Sequence, residues 1–208
     1  MDTGWLPSVL RRGADVDPTH PWRAPDRAGT ERDLRAGVLQ RVVGDVVVAA
    51  DVGVDALVRA RALALLLPPG AVVLGAAALW VHLGDPVRTP AEVLLCGRRL
   101  PPVPAGTGLR FAVSRRRPDP RELTTLGPLT LTVPARGLLD VAAVHPHRAE
   151  RLRTALAAAG LLDEAAVQAA SELARGRAHV RTARRALALP RDGRRRTGPL
   201  SPSADARP

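Results

Sequence analysis

The chain has 208 residues, 46% of them apolar, a formal net charge of +11, a single cysteine, and no Lys, Asn, Ile or Tyr. That length suits one modest domain with tails, and a lone Cys96 excludes a disulfide framework and points to a reducing compartment. No apolar run approaches ~18 residues and Arg11-Arg12 interrupt the short apolar stretch near the start, so neither a membrane span nor a signal peptide is expected, and a soluble, cytoplasmic protein is.

The four missing residue types share AT-rich codons, so GC-rich coding accounts for them and each Arg reads first as a generic cation. Codon bias does not account for the charge, because exchanging Lys for Arg preserves it. Residues 1–29 balance four Arg against four Asp, whereas residues 30–189 carry 22 Arg against 14 acids and residues 190–208 five against two. The excess therefore falls mainly on the foldable part. It favours an anionic partner such as nucleic acid or an acidic protein, and an ordinary solvated basic surface gives the same composition.

Residues 1–29 mix Pro, Asp, Arg and Gly without periodicity and are expected to lack order. Thr30-Glu31-Arg32-Asp33 has the form of a capping box opening a short helix that Gly37 ends. Val38–Val43 and Val46–Ala50 flank Gly44-Asp45 as a hairpin. Asp55 caps a helix that runs to Leu67 and stops at Pro68-Pro69-Gly70; Val72-Val73 is a short strand, and Gly75–Leu83 a second apolar helix. Glu92–Cys96, Leu109–Ser114 and Leu129–Val133 are further strands. Pro134 then opens a helix to Val144 in which Arg136 and Asp140 are four apart and can pair. Helices over Arg148–Ala159, Glu164–Ala174 and Ala178–Leu189 follow, with Asp163 as a cap, and the residues after Pro190 form a disordered basic tail. Mixed strands and helices followed by a helical end make the class α+β, a small mixed sheet packed by helices.

Reactive constellations are weak. Pro118-Asp119 resembles the start of a restriction-type nuclease motif, but that chemistry wants a lysine and the chain has none, so Pro118-Asp119-Pro120 reads as a turn. The P-loop pattern is missing. His145-Pro146-His147 supplies two metal ligands without a third, His82 sits on an apolar helix, and Cys96 sits mid-strand as a core thiol. No catalytic residue, metal site or cofactor site is assigned. Arginines mark the better-supported chemistry. Arg177, Arg181 and Arg184 share a face of the last helix and suit phosphate contacts, and a solvated face remains the alternative. With Phe111 the only Phe and Tyr absent, no stacking platform for single strands exists.

The order of elements, with the Arg-Ala-Arg-Ala-Leu helix at Arg59–Leu63, Leu67-Pro68-Pro69-Gly70-Ala71-Val72-Val73, Val133-Pro134-Ala135-Arg136-Gly137-Leu138-Leu139-Asp140 and Arg184-Arg185-Ala186-Leu187, resembles actinobacterial relatives of the AbiEi-type antitoxins of type IV toxin–antitoxin systems. The likeness covers roughly Thr30 to Leu189. It implies a winged helix-turn-helix that represses its own operon and a C-terminal domain that opposes a nucleotidyltransferase-like toxin. On it, residues 30–53 become a degenerate, partial winged-helix-like element and residues 54–189 the antitoxin-like α+β domain. The partners it implies are double-stranded DNA and a cognate toxin, with Arg32 and Arg35 facing a groove and Arg41 a phosphate. Some relatives extend into a Vsr-like endonuclease; this chain stops soon after Leu189, where that would begin, so nuclease activity is not carried over. Relatives place a hydroxyl residue before the proline and a Thr after the arginine, where this chain has Val133 and Gly137, which removes a cap hydroxyl and adds helix flexibility.

Overall fold

Short β-branched runs between Gly and Pro turns fold into two sheets, and the Ala- and Leu-rich stretches into seven helices, in the computed structural model, which describes residues 20–24, 26–97, 107–115, 117–176 and 179–189. The architecture is α+β. The tail from Pro190 and the segment before His20 lie outside the described residues.

The first sheet is small and antiparallel. Strands β1 (Trp22–Arg23), β2 (Leu39–Val43) and β3 (Val46–Ala49) run in the order β1-β3-β2, with helix α1 (Arg27–Arg35) between β1 and β2. Order thus begins before Thr30. Asp26 is the cap in its place, accepting from the Ala28 and Gly29 amides at 3.1 and 3.0 Å, while the Thr30 hydroxyl, already inside the helix, donates to the Asp26 carbonyl at 2.5 Å. The Gly44-Asp45 hairpin turn forms as expected. A Cβ on Gly44 would stand 2.3 Å from the Thr107 carbonyl oxygen, so only glycine lets the turn seat on that segment.

The second sheet has five strands: β4 (Val72–Leu74), β5 (Glu92–Cys96), β6 (Arg110–Val113), β7 (Leu123–Leu126) and β8 (Leu129–Thr132), in the order β6-β5-β4-β8-β7. β4 and β8 are parallel neighbours, and each runs straight into a helix, α3 (Gly75–Leu83) and α4 (Pro134–Val144). The periodicity does not predict strand β7: Leu123-Thr124-Thr125-Leu126 lacks strict alternation and is held as an edge by pairing with β8. Helix α2 (Ala56–Ala64), capped by Asp55, packs against both sheets and buries Val58, Ala60, Ala62 and Leu63. One core runs through both sheets, joining Val43 and Val46 of the small sheet to Leu63, Leu79, Leu95, Leu131 and Leu138.

Helix α4 is the hub of the helical end. It packs against α3, α5 (Ala149–Ala158), α6 (Glu164–Leu173) and α7 (Val180–Ala186). A Cβ on Gly137 would come within 2.9 Å of Leu79 Cγ and Cδ2, so the glycine expected to loosen this helix instead admits close contact with α3. Arg59 closes the other end of α3, donating to the Val81 carbonyl at 3.0 Å and the His82 carbonyl at 3.4 Å. Helix α7 is shorter than the predicted Ala178–Leu189 because His179 takes a left-handed backbone, φ 65°, just before it.

Candidate nucleic-acid interface

At 100° per residue, Ala28, Arg32 and Arg35 fall on one side of α1, and all three are exposed. No residue of this helix is fully buried. Its arginines are therefore not packed into the core, and the small Ala28 beside them allows close approach of a partner. Arg35 folds back so that its Nε donates to the Glu31 carbonyl at 3.0 Å, a single exposed bond. Arg32 and Arg35 occupy the last turn, where the negative end of the helix dipole favours a cation.

Arg41, expected to face a phosphate, is exposed on β2; its Nη2 donates to Glu31 Oε1 and its Nη1 to the Gly44 carbonyl at 2.9 Å, so the guanidinium is held across the helix and the hairpin. Arg23 is likewise matched: its Nε and Nη2 donate to Asp45 Oδ2 at 3.0 and 2.7 Å. On the hairpin side, then, two cations meet two carboxylates. The net positive face belongs to α1.

The second predicted set resolves differently. Arg177 lies outside the described residues, and α7 itself begins at Val180, after the left-handed backbone at His179. Ala183 and Leu187 bury the inner side of α7, Arg184 is half-buried beside them, and the outward pair is Arg181 with Arg185, one turn apart. Of the described arginines on α7, Arg181 and Arg185 are exposed and Arg184 is half-buried. Helix α7 packs on α4, α5 and the turn Pro146–Arg148, whereas α1 packs on β2, so the two arginine sets belong to different neighbourhoods.

The buried charge cluster lies elsewhere again. Arg136 Nε donates to Asp140 Oδ1 at 2.8 Å, as the spacing predicts, and Nη1 to Glu122 Oε1 at 2.5 Å. Glu122 is 1% exposed; its Oε2 accepts from the Asp119 amide at 2.7 Å, closing a capping box with Asp119. Sequence reading missed Glu122, although the Asp-x-x-Glu spacing was there to be read. Burial works against a charged Arg136, yet Asp140 and Glu122 hold its pKa above the ordinary value; burial, helped by Glu122, raises Asp140 against the pull of Arg136. Each charge is engaged by another, and the cluster braces the start of α4.

His82 donates from Nε2 to the Thr132 carbonyl at 2.9 Å, and burial lowers its pKa. Burial raises the Cys96 thiol. The His145 and His147 rings meet edge to face 6.0 Å apart, and among the described residues no group of three His, Cys, Asp or Glu could hold a metal ion. No helix among the described residues is long and apolar enough to cross a membrane. An apolar cleft of about 790 Å³ opens between the start of α4 and α6, lined by Val133, Pro134, Leu161, Ala170 and Leu173 with Arg121 and Arg175 among its polar residues. No protein-family model matches the chain and no curated protein matches it, so its functional reading rests on its own residues and their geometry.

Proposed function

We propose that the chain is a non-enzymatic, double-stranded-DNA-binding regulator of the AbiEi antitoxin type, and that α1 carries the contact. The observation that supports this reading most directly is the outward Arg32–Arg35 face on a helix followed at once by an antiparallel hairpin, with a preceding strand added to the hairpin. That is the local order of a recognition helix and its wing, here without the helices that would precede it among the described residues. The α7 arginines, Arg181 and Arg185, are outside this footprint.

Arg32 and Arg35 on phosphates give a shallow but definite salt dependence, with log K falling against log salt at a slope of roughly −1.8. The test is duplex binding by the full chain, its own promoter included, across a salt series. Absence of binding at the lowest salt overturns the proposal.

A second reading, a protein-interaction module that opposes a nucleotidyltransferase-like toxin, is favoured by the cleft of about 790 Å³ beside α6 and by Leu161, which is 37% exposed at its edge. It calls for a complex with the product of an adjacent gene that Leu161→Asp disrupts while DNA affinity stays unchanged. A complex indifferent to Leu161→Asp would remove the cleft from the account.

A further inference from the structure

Arg41 is the one hairpin cation placed beside the α1 face and yet withheld from it. Its backbone pairs with Val47 across β2 and β3, and its guanidinium lies between the Gly44 carbonyl and Glu31. Glu31 stands one helical turn before Arg35, on the same side of α1. A carboxylate offers a guanidinium the same anionic oxygens as a DNA phosphate, so Glu31 occupies the place a phosphate would take.

We propose that Glu31 is a specificity-determining residue that holds Arg41 off the DNA backbone, and this rests on the DNA-binding reading above. With the carboxylate present, sequence-independent binding uses the α1 arginines alone. Without it, Arg41 turns outward and adds one phosphate contact. Both partners are nearly half exposed, at 44% and 45%, so their pairing contributes little to folding and can be broken without unfolding the element. The benefit of such an internal competitor is selectivity. Phosphate contacts raise affinity for every sequence alike, and withholding one lowers non-specific binding without touching contacts to base edges.

The experiment measures binding of the full chain to a random-sequence duplex by fluorescence anisotropy over a salt series. Glu31→Gln keeps the side chain's shape and removes its charge; it is expected to tighten binding several-fold at low salt and to steepen the log–log slope by about 0.9, the value for one added phosphate. Arg41→Gln alone leaves the wild-type slope, and the double variant Glu31→Gln/Arg41→Gln returns to it. Glu150→Gln makes the same change of charge on α5, where the side chain is 73% exposed, and leaves the slope where it was. An unchanged slope in Glu31→Gln overturns the proposal. So does a flattened slope in Arg41→Gln alone, which would put Arg41 already on phosphate, or a Glu150→Gln slope as steep as that of Glu31→Gln, which would reduce the effect to net charge. A wild-type chain that fails to bind at low salt overturns the DNA reading itself, and this inference with it.

Discussion

Helices α1 and α4 are both short and both carry arginines, and they hold them in opposite ways. On α1 no residue is fully buried and Arg32 and Arg35 stand in solvent. On α4 the only arginine, Arg136, is 13% exposed and clamped between Glu122 and Asp140. The difference comes from what surrounds each backbone. Pro134 starts α4 directly from the end of β8, and Ala135, Leu138, Leu139 and Ala142 bury it among four other helices, so a guanidinium there must bring its own carboxylates. Helix α1 rests on β2 of the small sheet, and its cations keep their hydration. One residue type thus braces a core in one region and presents charge in the other. Substitutions that remove an arginine should separate these roles, with the largest effects at α4.

The strongest test is Arg136→Met. It takes away the guanidinium that binds both Glu122, 1% exposed, and Asp140, and is expected to cost about 3–5 kcal/mol by urea unfolding. The double variant Arg136→Met/Glu122→Gln removes the buried carboxylate charge as well and should recover a large part of that loss. Equal losses in the two variants would show that packing, and not charge, holds this corner.

Next comes the contact that brings α3 and α4 together. Ala has the better helix propensity, yet a Cβ at position 137 would sit 2.9 Å from Leu79 Cγ, and Leu79 is fully buried with little room to yield. Gly137→Ala should therefore destabilise by about 1–2 kcal/mol, overpacking outweighing propensity. A gain in stability would restore the view of Gly137 as a loosened helical position.

His82 provides a pH-dependent check on the same region. Burial lowers its pKa in the folded state, while in the unfolded chain it titrates near the ordinary value of about 6.5. The unfolded chain then binds the proton first. The contribution is fully present above about pH 6.5 and is lost as pH falls through the folded value. His82→Gln, which retains a donor for the Thr132 carbonyl, should flatten the stability profile on the acid side of neutrality. An unchanged slope would assign that acid sensitivity to other groups.

Strong local signals are legible in the sequence. Helix α4 spans Pro134–Val144 as expected because Pro134 sets its start, and β5 and α3 also keep their expected bounds. Asp55 and Asp163 cap the helices they were expected to cap, accepting from Val58 and Ala166 at 2.7 and 2.6 Å. What stayed hidden depends on partners distant in sequence. The two-residue β1 exists only through its pairing with Val46 and Val47, and β7 only through β8. At the proposed site the types of Arg32 and Arg35 were legible, as was the helix bearing them. That Glu31 would hold Arg41, or that Arg184 would turn inward while Arg185 faces out, follows from how strands and helices dock and not from spacing on one element.

The smallest change in stability is expected where the proposed function resides. Arg32→Ala and Arg35→Ala remove exposed side chains from a helix with no buried residue, and Ala is the better helix former, so unfolding midpoints should shift by no more than about 0.5 kcal/mol equivalent. Each should nonetheless flatten the salt dependence of duplex binding by about 0.9, and the double variant by about twice that, because each removes one phosphate contact. The conjunction is what matters. Arg136→Met should lose stability, and whatever DNA binding the folded fraction retains should keep its slope; Arg32→Ala should lose slope and keep its stability. If Arg32→Ala and Arg35→Ala leave the slope intact while Arg181→Ala and Arg185→Ala flatten it, the contrast between exposed and clamped arginines survives, but the interface moves from α1 to α7.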